Sequence, residues 1–237
     1  MDIRQTIAHL AQDKDEQMLL IRAAERLTAA QQRNIPTATA FLAAREQTLL
    51  AQLFPHDPPV FFGGCDGAER RVAAYLPDYL GESWLLGDDS PVAAVRAVYF
   101  EEDTLTHRDF LGALMGAGIK RETVGDIYVA PGRCDFVVLR ELRDYILQNL
   151  PSAGRTKLTL APLELAELSA PAAAVKTRHD TVSSLRFDSV LASAFSLARG
   201  KAAALIESGR AELDHALCQK PDKPVSEGSI LSVRGLG

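Results

Sequence analysis

The triplet His107-Arg108-Asp109 has the order of a kinase catalytic loop, in which the Asp accepts the proton of the attacking hydroxyl. That chemistry also needs a downstream Asn where this chain has Leu114, together with a Gly-rich strand and a metal-binding triplet, and none of these occurs. The same residues suit the first turn of a helix. Thr106 stands at the cap and Asp109 three residues later, where a carboxylate offsets unpaired helix-end N–H groups. Gly63-Gly64-Cys65-Asp66-Gly67 could cradle a phosphate, but it lacks the Lys-Ser/Thr ending of a P-loop and the spacing of a dinucleotide fingerprint, so it reads as a turn. The five histidines (His9, His56, His107, His179, His215) show no metal-ligand spacing. Cys65, Cys134 and Cys218 form no Cys-x-x-Cys pair, which argues for reduced thiols rather than disulfides or zinc. The expectation is a protein with no catalytic site, metal or small-molecule cofactor.

What remains is ionic chemistry. The net charge of −5 argues at first against a polyanionic partner, but its distribution is uneven. Residues 1–90 hold 8 Lys/Arg against 13 Asp/Glu, residues 91–160 hold 9 against 9, and residues 185–237 hold 7 against 6. So slight an excess of base suits recognition of structured RNA rather than loose RNA. No apolar run is long enough to cross a bilayer, and Met1-Asp2-Ile3-Arg4-Gln5 opens a polar helix rather than a targeting peptide, so a cytoplasmic location without membrane contact is expected.

The elements that must position these charges fall into three parts of an α+β chain. The first, 1–90, reads as mainly helical. Apolar residues at spacings of three and four predict helices over 3–12, 15–33 and 37–53, the last capped by Thr37 or Thr39 and stopped by Pro55. A strand Val60-Phe61-Phe62, the glycine turn and a helix Ala68–Tyr75 follow. The second part, 91–165, is the clearest. A strand over 94–100 precedes the Thr106-capped helix, whose apolar face is Phe110, Leu111, Leu114 and Ala117 and which Gly118 ends with Ile119 behind it. Strands near 123–129 and 134–139 are joined by Ala130-Pro131-Gly132-Arg133. A helix over 140–150 burying Leu142, Tyr145, Ile146 and Leu150 and a strand over 155–160 complete a βαββαβ, ferredoxin-like order. An Ala/Pro-rich linker at 161–175 and a strand near 174–180 lead to the third part, 181–237. It has helices over 186–196 and 199–208 and short strands at 210–213, 217–219 and 230–233.

That third part carries Arg186-Phe187-Asp188-x-x-Leu191, Leu197-Ala198-Arg199-Gly200-Lys201-Ala202 and Leu205-Ile206-x-x-Gly209-Arg210-Ala211-x-Leu213. From Leu185 onward it resembles the RNA-binding domain named after ribosomal protein S-four. The resemblance implies that Arg186, Arg199, Lys201 and Arg210 face structured RNA. Arg199 and Lys201, in the first turn of a helix, make a phosphate clamp plausible on physical grounds as well. Three departures weaken it: Ala198 stands for a capping Ser, Asp214 for an Asn and Ser229 for an Asp.

The string Leu105 to Ile127, with Gly63-Gly64 and Ala68-Glu69-Arg70-Arg71 upstream, is similar to the YlmH family of bacteria and plastids. The family's usual basic-aromatic extension does not follow Arg234-Gly235-Leu236-Gly237 in this sequence, which leaves open whether the C-terminus is shortened. The resemblance implies a protein that binds ribosomal RNA and tRNA on the large ribosomal subunit and helps to handle stalled peptidyl-tRNA, as in ribosome-associated quality control. In the middle domain Arg108, Lys120 and Arg121 could contact phosphate and His107 could stack on a base; a purely structural role is the alternative for each. The aromatic octapeptide of RNA-recognition motifs is missing. Two rival functions are an RNA-modifying enzyme (pseudouridine synthase or methyltransferase) and a cell-division adaptor. The enzyme lacks its Gly-Arg-Leu-Asp setting or Gly-rich cofactor loop here, and the adaptor would use the acidic N-terminal region.

Overall fold

The computed structural model describes residues 3–171 and 177–236, and the chain divides into two compact units, 1–172 and 173–237. Both mix helix with antiparallel sheet, so the chain is α+β.

The first unit opens with helices α1 (Ile3–Leu10) and α2 (Lys14–Arg33), the second capped by Asp13, whose carboxylate accepts from the Glu16 N–H. Strand β1 (Thr37–Leu42), helix α3 (Ala44–Leu53), β2 (Val60–Phe62) and β3 (Arg71–Tyr75) follow, and the strands form an antiparallel sheet in the order β1-β3-β2. Two expectations are corrected here. Residues 37–53 are a strand and then a helix, not one helix, and 68–75 ends in a strand. In β1 an irregularity between Ala38 and Phe41 turns both toward the same core. An apolar pair three apart is what helical periodicity looks for, so the bulge imitates a helix in the sequence. Thr39 caps nothing: its hydroxyl lies in the sheet, accepting from the Ala73 N–H at 2.9 Å. In β3, Val72, Ala73 and Ala74 are all buried, and a strand covered on both faces shows no alternation.

Strand β4 (Val92–Val98), helix α4 (His107–Gly116), β5 (Val124–Ala130), β6 (Arg133–Leu139) and helix α5 (Arg140–Asn149) come next. A small hairpin, β7 (Ser152–Ala153) with β8 (Thr156–Lys157), leads to β9 (Thr159–Leu163). The strand expected over 155–160 is thus broken. The linker expected at 161–175 begins inside the sheet: Leu163, Leu165 and Leu168 are buried. The four-stranded sheet has the order β5-β6-β4-β9, all neighbours antiparallel. Gly118, at φ 83°, closes α4 while the Ile119 N–H reaches the Leu114 carbonyl and the Ile119 side chain is buried. Tyr145, expected in the core, is exposed, and its hydroxyl donates to the Ala117 carbonyl.

Alternation along the strands builds four layers. One face of the four-stranded sheet (Val95, Ala97, Phe136, Val138) packs on Phe110 and Leu114 of α4 and Ile146 of α5. On the other face Val92, Ala94, Val137 and Leu163 meet Ala38, Phe41, Val72 and Ala74 of the three-stranded sheet. The far side of that second sheet (Leu42, Ala73) packs on Leu20 and Leu27 of α2 and Leu50 of α3. The boundary expected near residue 90 therefore falls inside this stack.

The second unit holds α6 (Phe187–Ala194), α7 (Arg199–Glu207) and a sheet in the order β11-β10-β12, from β10 (Ala211–Leu213), β11 (Ala216–Leu217) and β12 (Leu231–Val233). Phe187, Leu191, Ala202, Ile206, Leu213 and Val233 fill its core. The two-residue hairpin loop Asp214-His215 has φ of 54° and 62°, as a type I′ turn requires. The strand expected near 174–180 lies partly outside the described residues, and 177–180 are not strand. No single helix among the described residues is long and apolar enough to cross a membrane.

Candidate nucleic-acid interface

In the second unit, Arg186 precedes α6 and Arg199 opens α7, and the geometry brings the two together on one carboxylate. Asp188 is buried. Arg186 donates to it from Nε at 3.2 Å and Nη2 at 3.3 Å, and Arg199 from Nε at 3.1 Å and Nη2 at 3.0 Å. Burial acts to raise the Asp188 carboxyl, but the hydrogen bonds and charges of the two arginines outweigh it and hold the group below its ordinary value. The arginine side chains remain 45% and 52% exposed. One carboxylate thus anchors two guanidinium groups, and Asp222 acts on Arg186 as a second, weaker negative neighbour. The first two N–H groups of α6 are already used, Phe187 on the Lys223 carbonyl and Asp188 on that of Pro221, so α6 offers side chains rather than its own end.

Sequence reasoning named the arginines and missed Asp188, which makes them a pair. The available signal was an acid among apolar neighbours in Arg186-Phe187-Asp188. Lys201 is exposed, without a side-chain partner among the described residues. Arg210 follows the other end of α7 and donates to the Arg234 carbonyl at 3.0 Å, so it is not part of the pair. Ala198 provides no side-chain cap for α7. Asp214, which stands for the Asn, accepts from the Ile230 N–H (2.9 Å) and the Ser229 hydroxyl (3.2 Å) at the exposed hairpin.

In the first unit the four middle residues do not form one patch. His107 and Arg108 are exposed on the first turn of α4. Asp109 accepts there from the Thr106 N–H and hydroxyl, which lower its pKa. Lys120 and Arg121 lie beyond the opposite end of that helix. Lys120 is exposed, whereas Arg121 donates Nη1 to the Val124 carbonyl at 2.7 Å. Burial, together with the charge of Arg70, lowers the Arg121 pKa.

The distinctive motif residues around Arg121 form a structural knot. Asp126 accepts from the backbone N–H groups of Glu69 (2.6 Å) and Arg70 (3.2 Å) and from the Tyr128 hydroxyl (3.1 Å). Arg70 bridges the Val124 and Phe41 carbonyls, both at 3.1 Å. Gly125 lets Phe41 approach, since a Cβ there would lie 2.7 Å from the Phe41 ring. These contacts bolt the two sheets of the unit together, which explains why the strings 68–71 and 105–127 read as one signature. No group of side chains able to hold a metal ion occurs among the described residues.

Residues 97–167 match the family model described as "Putative RNA-binding domain in YlmH". The chain is 34% identical over 227 residues to the ribosome-associated protein quality control protein P2 of Bacillus subtilis, spanning 94% of this chain and 87% of that protein. The cell division protein YlmH from Streptococcus pneumoniae superposes with a TM-score of 0.53 at 18% identity, over 66% of this chain and 96% of that one, a likeness of fold. With more than a third of positions shared along nearly its whole length with that Bacillus protein, and the signature's knot accounted for, this chain belongs to the YlmH family.

Proposed function

We propose that this protein is a non-enzymatic, cytoplasmic RNA-binding factor that binds ribosomal RNA and tRNA on the large ribosomal subunit and acts there on stalled peptidyl-tRNA complexes. The observation that carries the reading is the pair Arg186 and Arg199 held on buried Asp188. Two prepositioned, half-exposed guanidinium groups suit a phosphate of a folded RNA, because little side-chain freedom is lost on binding. The second unit is read as the S-four-type module and the four-stranded part of the first as a ferredoxin-like domain. The β5-β6-β4-β9 order supports the latter. The name of the Bacillus relative supports the ribosomal setting, and the matched family model supports RNA as the ligand. Lys201, Arg210, Arg108, Lys120 and His107 would add contacts at separate points, and Arg121 would shape the backbone beneath them.

Co-sedimentation with purified large subunits tests this. Arg199→Gln with Lys201→Glu is expected to abolish association. Because Arg199 also grips buried Asp188, the second unit loses some stability with it, so Lys201→Glu alone, which breaks no side-chain contact among the described residues, is measured beside it and is expected to weaken association with the fold intact. Undiminished association of the double variant would show that the second unit is not the anchor.

A further inference from the structure

The face of the four-stranded sheet that turns away from α4 and α5 is only half covered. Toward one end of β4 it is sealed by the three-stranded sheet, through Ala94, Val137 and Leu163. Toward the other end it emerges. Val95, Ala97 and Tyr99 point into the helical core, so alternation places Arg96 and Val98 on the other side, and the Tyr99 N–H, bonded to the Gly132 carbonyl at 3.0 Å, carries the extended chain past the strand's end to Phe100. Val98 is 47% exposed and Phe100 79%, unusual for large apolar side chains side by side. On β6, Cys134 and Phe136 point to the helices, so Arg133 and Asp135 lie on the other face, Asp135 opposite Arg96 where the face is still covered and Asp135 is buried, and Arg133 opposite Val98 where it opens. Ala130 of β5 and Thr159 of β9 flank this row through the same register.

The charges on this face are unequally engaged. Arg96 grips Asp135 with two bonds of 2.7 Å, which consume that carboxylate. Glu167 also acts on Arg96 by charge, so the group as a whole is balanced; Arg133, 4.0 Å from Asp135 with a side chain 54% exposed, is its most loosely held cation. A bare aromatic ring, an aliphatic neighbour and a half-exposed guanidinium on one flat surface match the needs of an unpaired nucleotide: a ring to stack on and a cation for its phosphate. Glu101, Glu102 and Asp103 follow Phe100 directly. Their charge opposes a phosphate chain continuing past the ring, so the surface suits one or two splayed bases rather than a duplex track.

We infer that Phe100, Val98 and Arg133 form a second RNA contact, a stacking platform for an unpaired base that is distinct from the arginine pair of the second unit. The inference rests on the RNA-binding reading above and deepens it by naming the form of RNA taken by the middle domain.

The test uses the full chain and two fluorescent probes, a single-stranded oligouridine RNA and a fully paired hairpin, with large-subunit co-sedimentation alongside. Phe100→Ala is expected to weaken oligouridine binding roughly 5- to 100-fold, as loss of one base stack does, and to leave hairpin binding unchanged. Phe100→Trp should restore it, and Arg133→Gln should weaken it while lowering the salt slope by about one. Phe100 is so exposed that its removal does not threaten the fold. Wild-type affinity for oligouridine in Phe100→Ala, or no oligouridine binding by the wild type, would overturn the platform. Loss of subunit binding without loss of oligouridine binding would place a ribosomal protein on this face and overturn it equally. Arg199→Gln with Lys201→Glu should lose subunits yet keep oligouridine, so failure of the platform and failure of the proposed function give different results.

Discussion

Replacing Asp188 by Asn removes one charge from beneath two arginines while keeping the shape of the side chain. Asp188 accepts five bonds of 3.0–3.3 Å from Arg186 and Arg199. Breaking a fully buried charge network costs about 3–5 kcal/mol, because a charge is left unpaired in a poor dielectric. Here the acid is buried but both arginines are about half exposed, so water takes over part of what the carboxylate did. Asn also keeps one acceptor. The expected loss is therefore about 1–3 kcal/mol, the range for hydrogen bonds to charged groups. Amide hydrogen exchange measured on peptides from 187–206 should speed up roughly 5- to 150-fold in Asp188→Asn, with peptides from the first unit unaffected. The pH dependence has a definite sign. The folded carboxyl titrates below its ordinary value, so its stabilisation is present in full above the unfolded pKa of about 3.9 and is lost as pH falls through the lower folded value. The gap between wild type and variant should thus be constant from neutral pH down to about 5 and close only below about 4, as followed by thermal unfolding. Unchanged exchange over 187–206, or a gap that closes between pH 7 and 5, would refute the claim that Asp188 anchors the pair as a carboxylate.

Binding to large subunits should weaken with salt at a log–log slope of roughly −2 to −5, corresponding to about 3–5 phosphate contacts, and a slope near zero on purified subunits would point to a protein partner. Gly125→Ala should destabilise the first unit by about 1–3 kcal/mol, because its Cβ would stand 2.7 Å from Phe41 Cε1 in a packed core; an unchanged melting temperature would show that the sheets can part there without cost. Residues 181–237 alone should bind large subunits about 100-fold more weakly than the full chain, since linked weak contacts reinforce one another, and equal affinities would show that the first unit adds none.

The middle strands and helices were legible because each carries a local signal: the Thr106–Asp109 cap, the Gly118-Ile119 stop and the Pro131-Gly132 turn all stand where the sequence put them. The N-terminal strands were not, for a tertiary reason. A bulge and a doubly covered strand erase the period-two pattern, and Ala-rich segments then resemble helices until their pairing partners are known. At the interface, residue type was readable and arrangement was not. Arg186 and Arg199 stood out as cations, but their meeting on Asp188 depends on the turn between α6 and α7. Arg121 looked equivalent to Lys120, yet one serves backbone carbonyls and the other faces solvent. Phe100 passed as the end of a strand, because nothing in the sequence says that the cover over the sheet stops short of it.

The back-to-back packing of the two sheets also decides how this protein can be cut. A fragment beginning at residue 91 would keep every strand and helix of the four-stranded half and still lose the partner of Ala94, Val137, Leu139 and Leu163. Those side chains would become a contiguous apolar surface, the kind that drives chains to stick to one another rather than stay monomeric. The isolated piece should precipitate or self-associate even though its own hydrogen bonding is complete, and weak RNA binding by it would report that fate rather than the chemistry of its surface. The smallest informative excision begins at α1, with the sheet's greasy side still shut.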